Sequence, residues 1–199
     1  MSSERPVIYL VDDKTALSTY RSALYGLCCD VRGFTTARAF VNAYAPAPVE
    51  CIVCALHLPD MAGLHVLHEL AGHAVLPPLI FVANDFDVAT VVEAVKAGAF
   101  DCIEAPVDGP LLVQKVEDAL TQSRKRHRQR LSASTTRMRF ERLTPKEHLV
   151  ARHIARGKTS RETAAELGLS TRTVEGHRAR LMGKLEIRTA VELASLLAG

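Results

Sequence analysis

The first 120 residues of this 199-residue chain repeat one pattern five times: a short apolar run, then a stretch with helical spacing. Pro6 to Val11 reads as a buried strand ending at Asp12-Asp13, and Ala16, Leu17, Tyr20, Ala23 and Leu24 follow at helical spacing. Cys29 to Phe34, Val49 to Cys54, Leu79 to Ala83 and Asp101 to Glu104 supply four further strands. Helices are expected over Thr36 to Tyr44, from Gly63 through Leu70, over Val88 to Ala97, and from Pro110 onward. Strands alternating with helices in this way lie parallel, in a sheet covered on both faces. The working site of such a sheet lies beyond the carboxyl ends of its strands. Those ends present Asp12-Asp13, Ala55, Ala83 and Ala105.

Charge divides the chain a second way. The net charge of +3 conceals −8 over residues 1–120, +7 over residues 121–142 and +4 over residues 143–199. Such polarity predicts two modules with different partners, the second suited to an anion such as nucleic acid. A plain solvated basic helix is the rival reading of the cationic run Arg124 to Arg130. With 48% apolar residues and 24% charged, the chain is neither disordered nor collagen-like. No apolar run approaches the roughly 18 residues of a membrane span. Met1 to Pro6 lacks the marks of a signal peptide, so an intracellular protein is expected.

The last 57 residues read as helical throughout. Thr144-Pro145-Lys146-Glu147 is a capping box with proline in the first turn, and Thr159-Ser160-Arg161-Glu162 is a second. The second opens a short helix that ends at Gly168, and Ser170 can cap a third helix running to about Leu185. A fourth, Ala190 to Leu197, closes the chain. Two helices joined by a tight Gly-Leu-Ser turn have the form of a helix-turn-helix over residues 159–178. On the third helix Leu181 and Leu185 fall within about 20° of Val174 and form a buried stripe. Arg172, Glu175, Gly176, Ala179 and Arg180 lie away from it, a face of small and charged residues that suits a major groove. Thr171, Thr173, His177 and Lys184 are candidates for positioning on phosphates. Each has a plainer alternative. Arg178 serves the scaffold or the DNA backbone, His177 packs or reaches phosphate, and Glu175 accepts from cytosine or pairs with an arginine.

Leu143-Thr-Pro-Lys-Glu147, Thr173-Val-Glu-Gly-His177 and Lys184-Leu185 resemble the LuxR-type helix-turn-helix domain, with Arg172 to Ala179 closest to the FixJ branch of response regulators. The N-terminal half resembles a receiver domain through Asp12-Asp13, Leu58-Pro-Asp-Met-Ala-Gly63, Lys96-Ala-Gly-Ala99 and Glu104-Ala-Pro106. The resemblance implies a flavodoxin-like (βα)5 receiver over residues 6–122 and a basic helical extension and linker over 123–137, within which the small polar residues Ser132 to Thr136 read as a flexible joint. A four-helix LuxR-type domain then occupies 138–199. It further implies a cytoplasmic bacterial transcription regulator, not an enzyme. Its implied partners are double-stranded promoter DNA, a second copy of the chain, and RNA polymerase or another regulator, with no membrane, cofactor or resident metal.

The receiver departs from its family where the chemistry resides. By the family pattern Ala55 stands where the phosphoacceptor aspartate belongs, Ala83 where a hydroxyl belongs and Ala105 where a lysine belongs. Cys102 replaces the usual aromatic switch residue. Only the acidic pair, Asp12 and Asp13, is left, as a weak Mg²⁺ site or as solvent-facing acids. Asp60, five residues past Ala55, lacks partners to act as a substitute acceptor. Alanine offers neither nucleophile, hydrogen bond nor charge, so the resemblance implies a pseudo-receiver that dimerises constitutively or senses something other than phosphate. In the family the face of the fourth helix, fifth strand and fifth helix commonly forms the dimer.

All five cysteines (28, 29, 51, 54 and 102) lie in the N-terminal half. Cys51-Ile-Val-Cys54 matches a C-x-x-C spacing, but residues three apart on a strand point to opposite faces, which favours core packing. Thiol sensing by Cys54 and Cys102 at the vacated site, or small-ligand sensing there, stands as the alternative function. A phosphorylation-switched regulator is disfavoured by Ala55, and a DNA-free sequestering protein by the recognition-helix face.

Overall fold

The computed structural model describes residues 5–72 and 75–198; the leader-sequence reading, which rests on Met1 to Pro6, lies largely outside them. The chain divides between His127 and Arg128 into two compact units.

In the first unit, β1 (Val7–Val11), α1 (Lys14–Leu24), β2 (Asp30–Phe34), α2 (Ala37–Ala43) and β3 (Glu50–Ala55) are followed by α3 (Gly63–Leu70), β4 (Leu79–Ala83), α4 (Val88–Ala97), β5 (Asp101–Glu104) and the first part of α5 (Gly109–Glu141). All paired strands are parallel, in the order β2-β1-β3-β4-β5. This is the expected flavodoxin-like arrangement. Strands β1, β3 and β4 are buried along their whole length, as continuous β-branched and apolar runs demand of inner parallel strands. Their side chains alternate between two cores. Tyr9, Val11, Ile52, Cys54 and Phe81 pack with Phe40, Val66 and Leu67 on one face of the sheet. Ile8, Leu10, Cys51, Val53 and Ile80 pack with Leu24, Leu112 and Val116 on the other. The strand order reverses at β1 and β3, and Val11 pairs with Cys54 there, so Asp12 and Ala55 emerge side by side.

The expected strand from Cys29 begins one residue later, because the Cys29 amide closes a turn onto the Leu27 carbonyl. A larger correction concerns the linker. The flexible joint expected at Ser132 to Thr136 is helix: α5 runs unbroken for 33 residues to Glu141. No glycine or proline occurs between Pro110 and Pro145, so nothing local interrupts the backbone ladder.

The second unit joins the end of α5 to α6 (Pro145–Ala155), α7 (Ser160–Leu167), α8 (Thr171–Leu185) and α9 (Ala190–Ala198). Both capping boxes form, on Thr144 with Glu147 and on Thr159 with Glu162. Gly168 ends α7 in the left-handed region at φ 63°, and Ser170 caps α8 by accepting from the Thr173 amide. Val150, Ile154, Ala164, Val174, Leu181, Leu185 and Leu193 make the core. Among the described residues no helix is long and apolar enough to cross a membrane.

Candidate functional site

The strand ends of the first unit enclose a cavity of about 190 Å³ lined by Asp12, Asp13, Tyr20, Ala55, His57, Ala83, Asn84 and Ala105, among others. The three alanines picked out by pattern therefore converge on one site. Beside it, the start of α3 is held close to the end of β3. The Gly63 amide donates to the Leu56 carbonyl at 2.7 Å, and a Cβ on Gly63 would stand 2.4 Å from the Ala55 oxygen. Glycine is the one residue that allows α3 to start so near β3.

The acidic pair is not idle solvent-facing charge. Asp12 accepts from the Tyr20 hydroxyl at 2.9 Å and from the Asp13 amide at 2.7 Å. Burial pushes the Asp12 carboxyl above its ordinary range, against the lowering effect of those two donors. Asp13 is the N-cap of α1, accepting from the amides of Thr15 and Ala16. Asp60 similarly accepts from the amides of Ala37 and Arg38 at the start of α2.

The family's Mg²⁺ does not fit this donor set. Ala55 contributes a methyl group, both remaining acids are engaged by the protein's own donors, and the described residues hold no group of three or more His, Cys, Asp or Glu that could bind a metal ion. The thiols fare no better. Cys51 and Cys54 are fully buried on opposite faces of the sheet, as strand geometry requires, and burial pushes both thiols far up. Cys102 is half-buried on β5, its thiol raised by burial and by Asp101.

On α8, Val174, Leu181 and Leu185 are buried, as the helical spacing predicts. Thr171, Arg172, Thr173, Glu175, Ala179 and Arg180 are exposed, and Gly176, His177 and Arg178 half-buried. Arg180 donates Nε–H to the Gly176 carbonyl at 3.0 Å, so its guanidinium is braced along the outer face. The Thr173 hydroxyl lies 2.7 Å from that of Ser170, within the cap. His177 is half-buried, and among the described residues its Nδ1 has no hydrogen-bond partner.

Lys184 has a partner inside the domain. Its Nζ donates to the Glu147 carboxylate at 2.7 Å, and Glu147 is 2% exposed. The pair joins α8 to the capping box of α6. Burial works against the Glu147 charge, but Lys184 and the Thr144 amide and hydroxyl outweigh it and hold the carboxyl at about 2. A second tie escaped sequence reasoning: Arg139 donates to the Leu185 carbonyl and to Glu186 at the end of α8. Arg139 and Glu186 are 47 residues apart, so no local pattern marks the pair.

Residues 8–117 match the response regulator receiver domain, and residues 141–197 match the bacterial regulatory proteins of the luxR family. The transcriptional regulatory protein FixJ of Azorhizobium caulinodans is 32% identical over 201 residues, spanning 100% of this chain and 95% of its own. The response regulator protein TmoT of Ectopseudomonas mendocina is 29% identical, spanning 97% and 88%. Among solved structures, the response regulator StyR superposes with a TM-score of 0.86 at 27% identity, covering 98% of this chain and 99% of that one. Full-length FixJ from B. japonicum gives 0.59 at 27% identity, covering 96% and 95%. A parallel sheet ordered 2-1-3-4-5 followed by a capped helix-turn-helix, matched along nearly the whole chain, makes this protein a member of the response regulators that join a receiver domain to a LuxR-type DNA-binding domain.

Proposed function

We propose that this protein is a sequence-specific transcription regulator whose receiver domain works without an aspartyl phosphate. The observation that carries the reading is the cavity at the strand ends. Where a phosphoryl group would need a carboxylate, a hydroxyl and an ammonium, the wall presents the methyl groups of Ala55, Ala83 and Ala105. Methyl groups cannot accept a phosphoryl group or neutralise its oxygens. Arg172, Glu175, Gly176, Ala179 and Arg180 form the base-facing side of α8, and Thr171, Thr173 and His177 flank it.

A constitutive homodimer completes the reading. Helix α4 exposes Val88, Val92 and Val95 at 80%, 43% and 57%, a stripe with spacings of four and three. An apolar stripe left on a solvent-facing helix suits a second copy of the chain. Thiol switching is not carried forward, because burial suppresses the thiolate of Cys54.

Light scattering of the full chain, before and after incubation with radiolabelled acetyl phosphate and Mg²⁺, tests both parts. The expected result is a dimer mass in each state and no acid-stable label. Incorporated label, or a mass that changes with it, overturns the reading.

A further inference from the structure

Helix α5 carries a run that neither the cavity nor α8 uses. Arg124, Lys125, Arg126, Arg128 and Arg130 are all exposed, and His127 is half-buried. The nearest acidic residues along the chain are Asp118 and Glu141. Among the described residues none of these five cations is in an ion pair. Arg126 donates to the Leu76 carbonyl at 3.0 Å. Stepping about 100° per residue places Arg124, Arg128 and Lys125 on one arc. Ser123 lies on a different side of the helix, buried and accepting from the Glu50 amide.

Like charges four apart on a helix repel, and this run has two such pairs, Arg124 with Arg128 and Arg126 with Arg130. A polyanion laid along the arc would relieve that repulsion and release its own counterions. An anionic lipid surface would also be attracted, but a helix that lies in a membrane interface needs an apolar face, and residues 122–130 contain no apolar side chain.

We propose that Arg124, Lys125 and Arg128 form a second, sequence-independent contact with duplex DNA, made through its phosphates. The proposal rests on the DNA-binding reading above and assigns that binding a part that holds any sequence, separate from the part that reads one.

The test uses the full chain and two duplexes of equal length, one carrying a site selected from random DNA and one scrambled. Affinity is measured by fluorescence anisotropy from about 50 to about 200 mM salt. In the triple variant Arg124→Gln, Lys125→Gln, Arg128→Gln, the slope of log affinity against log salt should become shallower by about 0.9 for each phosphate no longer neutralised. The weakening should be equal on both duplexes, leaving their ratio unchanged. The variant Arg124→Lys, Arg128→Lys keeps the charge and should keep the slope. An unchanged slope in the glutamine variant overturns the proposal, as does a lysine variant whose slope falls equally. Wild-type protein that fails to distinguish the duplexes would break the sequence-specific reading, while the slopes still decide this one. Weaker binding to anionic vesicles in the glutamine variant, with DNA slopes unchanged, would make the partner a membrane and overturn it.

Discussion

At the strand ends of the receiver domain, Asp12 and Asp13 are bonded to the protein itself; on the outer face of α8, Arg172 and Glu175 stand exposed. Asp12 holds Tyr20 and the Asp13 amide, and Asp13 caps α1. Arg172 and Glu175 are exposed and engaged in no ion pair among the described residues. An internal bond satisfies a polar group and removes it from service to a ligand. Asp12 and Asp13 are thus committed to the structure of the receiver domain, while Arg172 and Glu175 are left open to solvent.

The largest effect is expected where backbone, rather than side-chain chemistry, shapes the cavity. Gly63→Ala drives a methyl group against the Ala55 carbonyl, 2.4 Å away, with Leu56 and Phe81 also at 3.0 Å. The receiver domain should lose about 3 kcal/mol, read by chemical denaturation. Because α8 belongs to the other unit, the ratio of affinities for a selected and a scrambled duplex should not change. A neutral substitution would mean that α3 can retreat, and that the cavity is less fixed than its walls imply.

The fold was legible because it rests on periodicity. Continuous apolar runs fixed β1, β3 and β4, and the two Thr-x-x-Glu boxes fixed the starts of α6 and α7. The convergence of Ala55, Ala83 and Ala105 was legible from strand ends and family pattern together. What stayed hidden were partners distant in sequence. Glu147 and Lys184 are 37 residues apart, and only packing of α6 on α8 brings them together. The linker was misread because small polar residues at Ser132 to Thr136 suggest a joint, whereas a helix with no glycine or proline has no local reason to stop. The bonds from Asp60 to the amides of Ala37 and Arg38 were likewise hidden, because those residues lie more than 20 positions away.

That hidden pair supplies the next contrast, between two cations on one helix. Lys184→Met should cost about 2 kcal/mol of stability in the DNA-binding unit. It strands the buried Glu147 charge, a cost moderated because Lys184 itself is partly exposed. The effect has a pH sense. The Glu147 carboxyl is depressed from 4.5 to about 2, so its contribution is present above about 4.5 and is lost as pH falls toward 2. The difference between wild type and variant should therefore shrink in acid. Arg172→Ala should behave oppositely, with thermal stability unchanged and discrimination between selected and scrambled duplexes reduced by about 1–3 kcal/mol. An Arg172 variant that weakens both duplexes alike would move that residue from base reader to phosphate contact.

The smallest effect is the most telling about the cavity. Burial raises the Asp12 carboxyl above its ordinary value of 3.8, so the ionised form fits the fold less well than it fits the unfolded chain. Its favourable contribution is present below that ordinary value and is lost as pH rises through the raised one. Asp12→Asn removes the charge and can keep both hydrogen bonds, since the amide oxygen accepts from Asp13 and the amide nitrogen can donate to the Tyr20 oxygen. At neutral pH the variant should melt about 1–2 °C higher than wild type, and the gap should close in acid. A lower melting temperature would mean that the Asp12 charge is favoured in the fold by a cation the three alanines give no reason to expect. The cavity would then be a working site again, and the contrast with α8 would fail at its simpler end.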